Sequence, residues 1–186
     1  SESVLDEFPG IGDARKKAVG GLVSALQPAL AARSGLWLGW SGRAAAPGSA
    51  LEVGIDPTSS PSLAWIDLPA DLQGKYYNGF CNRSLWPVFH TFPARTRFAD
   101  DEWESYKRVN EAFAAAAADL VDPAVPVWIH DYHLLLMAAG LRRRGHTGPL
   151  GLFLHIPFPS LDLFSIIPWA EQLLDAMLEF DLLGFH

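Results

Sequence analysis

From Asp100 to Phe185 the chain alternates helical stripes with short apolar runs, and no other feature constrains its fold as tightly. Asp100 or Asp101 is expected to cap a long helix reaching about Leu120, with Trp103, Tyr106, Val109, Phe113 and Leu120 turned inward. Val125–His130 is apolar with a β-branched start, which predicts a buried strand. Tyr132–Arg144 reads as a helix. Its last turn, Arg142-Arg143-Arg144 before Gly145, suits both the helix dipole and a glycine stop. Leu150–His155 repeats the buried-strand pattern, Ser160–Ile167 and Trp169–Phe180 read as helices, and Leu182–Phe185 begins another strand. Alternation at this spacing builds right-handed βαβ units on a parallel sheet. The expected class is therefore α/β, an open and mostly parallel Rossmann-like sheet, whose ligands sit at the carboxyl ends of the strands.

The first half is less regular. Ser1–Ala14 is polar, with a Pro9-Gly10 turn. From Lys16 a helical stripe of Val19, Leu22, Val23, Leu26 and Leu30 runs to a glycine stop near Ser34-Gly35. Leu36–Trp40, Leu51–Ile55 and Ser62–Ile66 read as strands, and Asp71–Phe80 and Ser84–His90 as short helices or turns rich in aromatics.

Composition removes several classes. Hydrophobic residues make up 49% and charged residues 19% of the 186, too apolar for a disordered tail. A net charge of −7 argues against a nucleic-acid partner, because a phosphate backbone requires a basic face. A single cysteine, Cys81, excludes an internal disulfide and a cysteine-based zinc site, and suits a reducing compartment. The apolar stretches around Ala112–Val121 and Leu134–Gly140 fall short of the about 18–20 residues a bilayer requires. Ser1–Gly10 carries three acids and no basic region, unlike a signal peptide. No membrane association and a cytoplasmic location are the expectations.

Two predicted strands end in polar groups at the ligand edge: Val127-Trp128-Ile129 runs into His130-Asp131-Tyr132-His133, and Gly151-Leu152-Phe153-Leu154 runs into His155-Ile156-Pro157-Phe158-Pro159. An aspartate there can accept hydrogen bonds from sugar hydroxyls, and a histidine can donate or accept one. Alternatively, Asp131 caps the next helix while His130 and His155 satisfy backbone groups. Two such clusters at one edge favour a site. His130, Asp131, His133 and His155 are also conceivable metal ligands, but the further carboxylates and histidines of a two-metal centre are missing. Gly20-Gly21 could let the backbone approach a phosphate at a helix start, or could mark a turn or close helix contact. Trp37, Trp40, Tyr76, Tyr77, Trp86 and Phe89 crowd loops and short elements. Aromatic faces pack on sugars and Tyr or Trp tips reach oxygens, yet the same residues can simply fill a core. For Trp37 the core reading wins, while Trp40, Tyr77 and Trp86 sit beside turn residues.

Several phrases, in this order, resemble those of trehalose-6-phosphate synthases, the retaining glycosyltransferases of family 20. They are Gly20-Gly21-Leu22, Gly39-Trp40-Ser41-Gly42, Tyr76-Tyr77-Asn78-Gly79-Phe80, Leu85-Trp86-Pro87, Trp128-Ile129-His130-Asp131-Tyr132-His133-Leu134-Leu135, Phe153-Leu154-His155-Ile156-Pro157-Phe158-Pro159 and Asp181-Leu182-Leu183-Gly184-Phe185. The resemblance covers Lys17 to His186. It implies the amino-terminal, acceptor-side domain of a two-domain GT-B fold, spanning residues 17–186 after an irregular segment 1–16. It also implies transfer of glucose from UDP-glucose to glucose 6-phosphate, giving α,α-trehalose 6-phosphate with retention, without cofactor or catalytic metal.

Carried over, Gly20 and Gly21 resemble the glycine loop at the donor phosphates, and Tyr77 the acceptor-phosphate tyrosine. Trp40 and Trp86 resemble acceptor-pocket walls, Asp131 the aspartate on acceptor hydroxyls, and His155 the histidine near the donor glucose. Similar families imply two further readings, a glucosylglycerol-phosphate synthase and a non-catalytic sugar-phosphate-binding regulatory subunit. The family's first strand, ending in Ser-Asn-Arg, finds no match in Ser1–Ala18, and its second domain has no counterpart among these residues. The domain is thus expected to be incomplete and the isolated chain inactive. A full-length version could form a homo-oligomer.

Overall fold

A computed structural model of the chain describes residues 21–185, with side chains from residue 26 onward. They divide into two compact units between Asp71 and Leu72.

The first unit opens with helix α1 (Gly21–Ala31). The start of the expected helix, and Gly20, lie outside the described residues. The helix closes in a Schellman arrangement: Gly35 N–H donates to Leu30 C=O at 2.7 Å and Ser34 N–H to Ala31 C=O at 3.3 Å. The left-handed residue is Ser34 (φ 52°), so the expected glycine stop is displaced by one position. Strands β1 (Leu36–Ala45), β2 (Val53–Asp56) and β3 (Ser62–Pro69) form a sheet in the order β1-β3-β2. β1 runs parallel to β3, with an irregularity between Trp40 and Ala44, and β2 is antiparallel to β3. Leu63, Ala64, Ile66 and Leu68 of β3 are fully buried.

The second unit begins in a helical rod where two separate short elements were expected. One α-turn (α2, Ala70–Gln73) passes into a π-helical stretch (Gly74–Leu85) and then into α3 (Trp86–Phe89). At the second join Trp86 N–H reaches Cys81 C=O, five residues back, and Leu85 stays helical, so nothing breaks the rod. Single π-turns are the usual form, and longer ones need external support. Here that support is packing on α4 (Asp100–Leu120). Phe80 lies 4.6 Å from Tyr106 and 5.1 Å from Trp103, ring centre to ring centre. Any Cβ on Gly79 would sit 2.7 Å from the Glu102 carboxyl carbon, so glycine permits this approach. Arg83 pairs with the buried Glu102, and Lys75 with Asp101 at 3.1 Å. α4 buries Trp103, Tyr106, Val109, Asn110, Phe113, Ala114 and Ala117, while Leu120 stays half-exposed. Its cap is Ala99, whose C=O accepts from Glu102 and Trp103 N–H. Asp100 and Asp101, expected as caps, instead place their charge in the first turn, where the helix dipole favours it.

Strands β4 (Val127–His130), β5 (Leu150–Leu154) and β6 (Leu182–Phe185) form a fully parallel sheet in sequence order. Ile129, Leu150, Leu152 and Leu154 bury one face, but Trp128 is 59% exposed and Val125 lies outside β4, so β4 is not the fully buried strand its apolar run suggests: side chains alternate across a strand, and only one face of it is covered. The helix expected from Tyr132 is a 3₁₀ turn (Tyr132–Leu134) followed by α5 (Met137–Arg143), which ends at Gly145 with φ 84°. Two short helices, α6 (Leu161–Phe164, capped by Ser160) and α7 (Ala170–Met177), lead to β6. Pro159 and Pro168 bracket the shortened α6. This mixed α/β build with a parallel sheet is the expected class. Among the described residues no helix is long and apolar enough to cross a membrane.

Candidate functional site

Asp131 and His155 each follow the last residue of adjacent parallel strands, β4 and β5. The ladder continues one step past β4, because Asp131 N–H donates to Phe153 C=O at 2.8 Å. Asp131 then turns through φ 66°, ψ 177°, a conformation essentially reserved for glycine that costs another residue about 1–3 kcal/mol. Its carboxylate accepts from Tyr132 N–H at 3.1 Å, so it does cap the following turn. Burial pushes the Asp131 carboxyl up, opposed by that N–H and by His155.

A buried polar frame holds the strained turn. Tyr106 Oη donates to Tyr132 C=O at 2.8 Å and accepts from Leu135 N–H at 3.0 Å. Asn110, one helical turn on, donates to His133 C=O at 3.2 Å and accepts from Leu136 N–H at 3.0 Å. Tyr76 Oη donates to the same His133 C=O at 3.1 Å, and Tyr132 Oη donates to Asn82 at 3.0 Å. The backbone of 132–136 thus spends its hydrogen bonds on α4 and the π-helical stretch, and α5 starts late for that reason. Asn110 escaped the sequence reading. Its signal was a polar residue four positions after Tyr106 on an otherwise apolar helix face.

Across the two strand ends His130 Nδ1 lies 3.1 Å from His155 Nε2. Burial and the facing His155 push His130 down to about 4. His133 stacks on Tyr77 at 5.6 Å and 18°, and burial pushes it down to about 3. Both rings therefore stay neutral in the folded chain at a pH where the unfolded imidazole, near 6.5, takes up a proton. The unfolded state then binds more protons, so stability falls as pH drops from about 7 to about 5. Melting curves should show a lower midpoint at pH 5 than at pH 7.5, and an unchanged or higher midpoint would contradict neutral burial.

His130, Asp131 and His155 are thus brought together, with Tyr77 tied to them through His133. Trp86 is 38% exposed and stacks at 4.0 Å on His90, the residue just after its helix. Tyr76 and Phe89 are core residues. Trp37 and Trp40 are half-buried on β1 in the first unit, and Gly21 is the first residue of α1. Among the described residues no group of three or more His, Cys, Asp and Glu is placed to hold a metal ion. A cavity of about 680 Å³ opens between α4, α5 and α7, lined by Trp103, Lys107, Glu111, Arg143 and Asp175 among others. It contains none of the strand-end residues, and its charged lining is largely engaged in its own ion pairs, such as Arg143 with Glu111 at 2.9 Å.

The sequence profile of glycosyltransferase family 20 matches residues 13–186, and the chain belongs to this family. A trehalose-6-phosphate synthase from Klebsiella pneumoniae is 39% identical over 181 residues, covering 94% of this chain and 36% of that protein. An α,α-trehalose-phosphate synthase (UDP-forming) from Burkholderia xenovorans, solved in complex with glucose 6-phosphate, superposes with a TM-score of 0.83 at 35% identity, covering 91% of this chain and 37% of its own. An E. coli structure bound with UDP-2-fluoro glucose gives 0.83 at 37% identity, covering 94% and 38%. The chain spans little more than a third of the length of these relatives.

Proposed function

We propose that this chain supplies the acceptor side of a glucosyltransferase. The enzyme moves glucose from UDP-glucose to glucose 6-phosphate and yields α,α-trehalose 6-phosphate with retention. The observation that carries the reading is the strained Asp131 beside His155 at the carboxyl ends of β4 and β5. Strain held in place by surrounding structure is a mark of functional positions. The relatives' names, and the ligands of the Burkholderia and E. coli structures, supply the substrate class. None of them points to glycerol phosphate as acceptor.

In this reading Asp131 accepts hydrogen bonds from acceptor hydroxyls and orients the attacking oxygen. Tyr77 binds the acceptor phosphate, with Trp86 and Trp40 as walls. His155 meets the donor glucose, and Gly20 and Gly21 lie at the donor phosphates. The acceptor oxygen bonds to the anomeric carbon on the face from which UDP departs. The carbon–oxygen bond to UDP breaks, and the leaving phosphate takes the hydroxyl proton. Positioning and charge stabilisation are the protein's share, so no protein nucleophile is required. A cytoplasmic location suits two phosphorylated substrates, and self-association belongs to a longer version.

The test is UDP release from UDP-glucose and glucose 6-phosphate. A chimera in which these residues replace the matching third of the Klebsiella protein should transfer glucose. The 186-residue chain alone should release UDP no faster than buffer. An inactive, folded chimera would overturn the assignment, and release by the chain alone would overturn the division of labour.

A further inference from the structure

We propose that His130 is a positioning residue for His155: its Nδ1 accepts the proton on His155 Nε2, leaving His155 Nδ1 as a bare hydrogen-bond acceptor.

The two facing nitrogens are 3.1 Å apart, so one proton lies between them and its owner sets the state of both rings. If His155 Nε2 is the donor, both neutral rings carry their proton on Nε2, the tautomer that free histidine side chains prefer in water. If His130 Nδ1 is the donor, both rings are forced into the less favoured Nδ1–H form. The shared hydrogen bond is the same in either case, and the Asp131 carboxylate accepts from Tyr132 N–H rather than from a His155 ring nitrogen, so the intrinsic preference of two rings decides. Aromatic neighbours hold the ring planes: Trp128 stacks on His130 at 5.2 Å and 29°, and Phe153 lies against His155 at 4.8 Å.

The consequence is a specificity rule. A neutral His155 can take a hydrogen bond from a sugar hydroxyl at Nδ1 but cannot give one there. That extension rests on the function proposed above, whereas the proton arrangement does not.

The experiment is a two-bond ¹H–¹⁵N correlation of the imidazole rings in the ligand-free 186-residue chain at mildly alkaline pH. The six histidines are few enough to assign by substitution. His130 and His155 should both show the Nε2–H pattern. In His130→Phe, which removes the acceptor, the two nitrogen shifts of His155 should move towards each other as its tautomers mix. His130→Asn places a carbonyl oxygen near the former Nδ1 and should restore the Nε2–H pattern. An Nδ1–H pattern for His155 in the wild type would overturn the proposal, and so would a His155 spectrum indifferent to both substitutions. Should His130→Phe fail to fold, the wild type and His130→Asn still decide. A chimera unable to transfer glucose would overturn the proposed function and leave this proton arrangement untouched.

Discussion

Asp131→Ala and Asp131→Gly should both lower kcat/KM for glucose transfer in the chimera by about 100- to 1000-fold, the cost of losing one well-placed polar contact to a transition state. Their stabilities should part. Alanine keeps the backbone at φ 66°, ψ 177° without the carboxylate bond to Tyr132 N–H. Glycine accepts that conformation freely, and its extra unfolded-state entropy offsets only part of the relief. Asp131→Gly is therefore expected to be about 1 kcal/mol more stable than Asp131→Ala. Melting curves beside initial rates test both halves. Near-wild-type rates would remove Asp131 from the site, and an alanine variant as stable as the glycine variant would mean the turn stores no strain.

Phe80→Ala should be the most damaging single truncation, costing about 3–5 kcal/mol. That is a large share of the about 5–15 kcal/mol that holds an ordinary domain together. Phe80 is fully buried, with Tyr106, Trp103 and Trp169 at 4.6, 5.1 and 5.7 Å. Its loss opens a cavity between the π-helical stretch and α4, where stacked rings cannot collapse inward. Tyr106 also holds the turn after Asp131, so faster amide exchange at Leu135 N–H should accompany the lower denaturation midpoint. A loss below about 1 kcal/mol would mean that neighbouring side chains refill the space.

The strand-end site was open to sequence reasoning because its logic is local. A short continuous apolar run marks a strand, a polar turn marks its end, and parallel topology sends both ends to one edge. His130, Asp131 and His155 follow from those three steps, and the structure places them side by side. Tyr77 and His133 were each singled out by their neighbours in sequence, but they lie 56 positions apart and nothing local marks their stacking.

The helical rod 70–89 was misread as separate pieces. Gly74, Gly79 and Pro87 are poor helix formers, and each lowers local propensity. Contacts with α4 override them: Gly79 lets Glu102 approach, Arg83 ties on beside it, and Phe80 fills the space between. α5 failed in the opposite sense. Leu134, Leu135 and Leu136 favour a helix on their own, yet Tyr106 and Asn110 take the N–H groups of Leu135 and Leu136.

By itself, then, the sequence determined the class of fold, the parallel β4-β5-β6 sheet and the edge on which its polar residues lie, since these follow from hydrophobic period and turn chemistry within a few residues. Only the tertiary structure decided that Asp131 is strained, that His130 Nδ1 faces His155 Nε2, and that a π-helical stretch survives, because each is set by hydrogen bonds and packing between segments far apart in the chain.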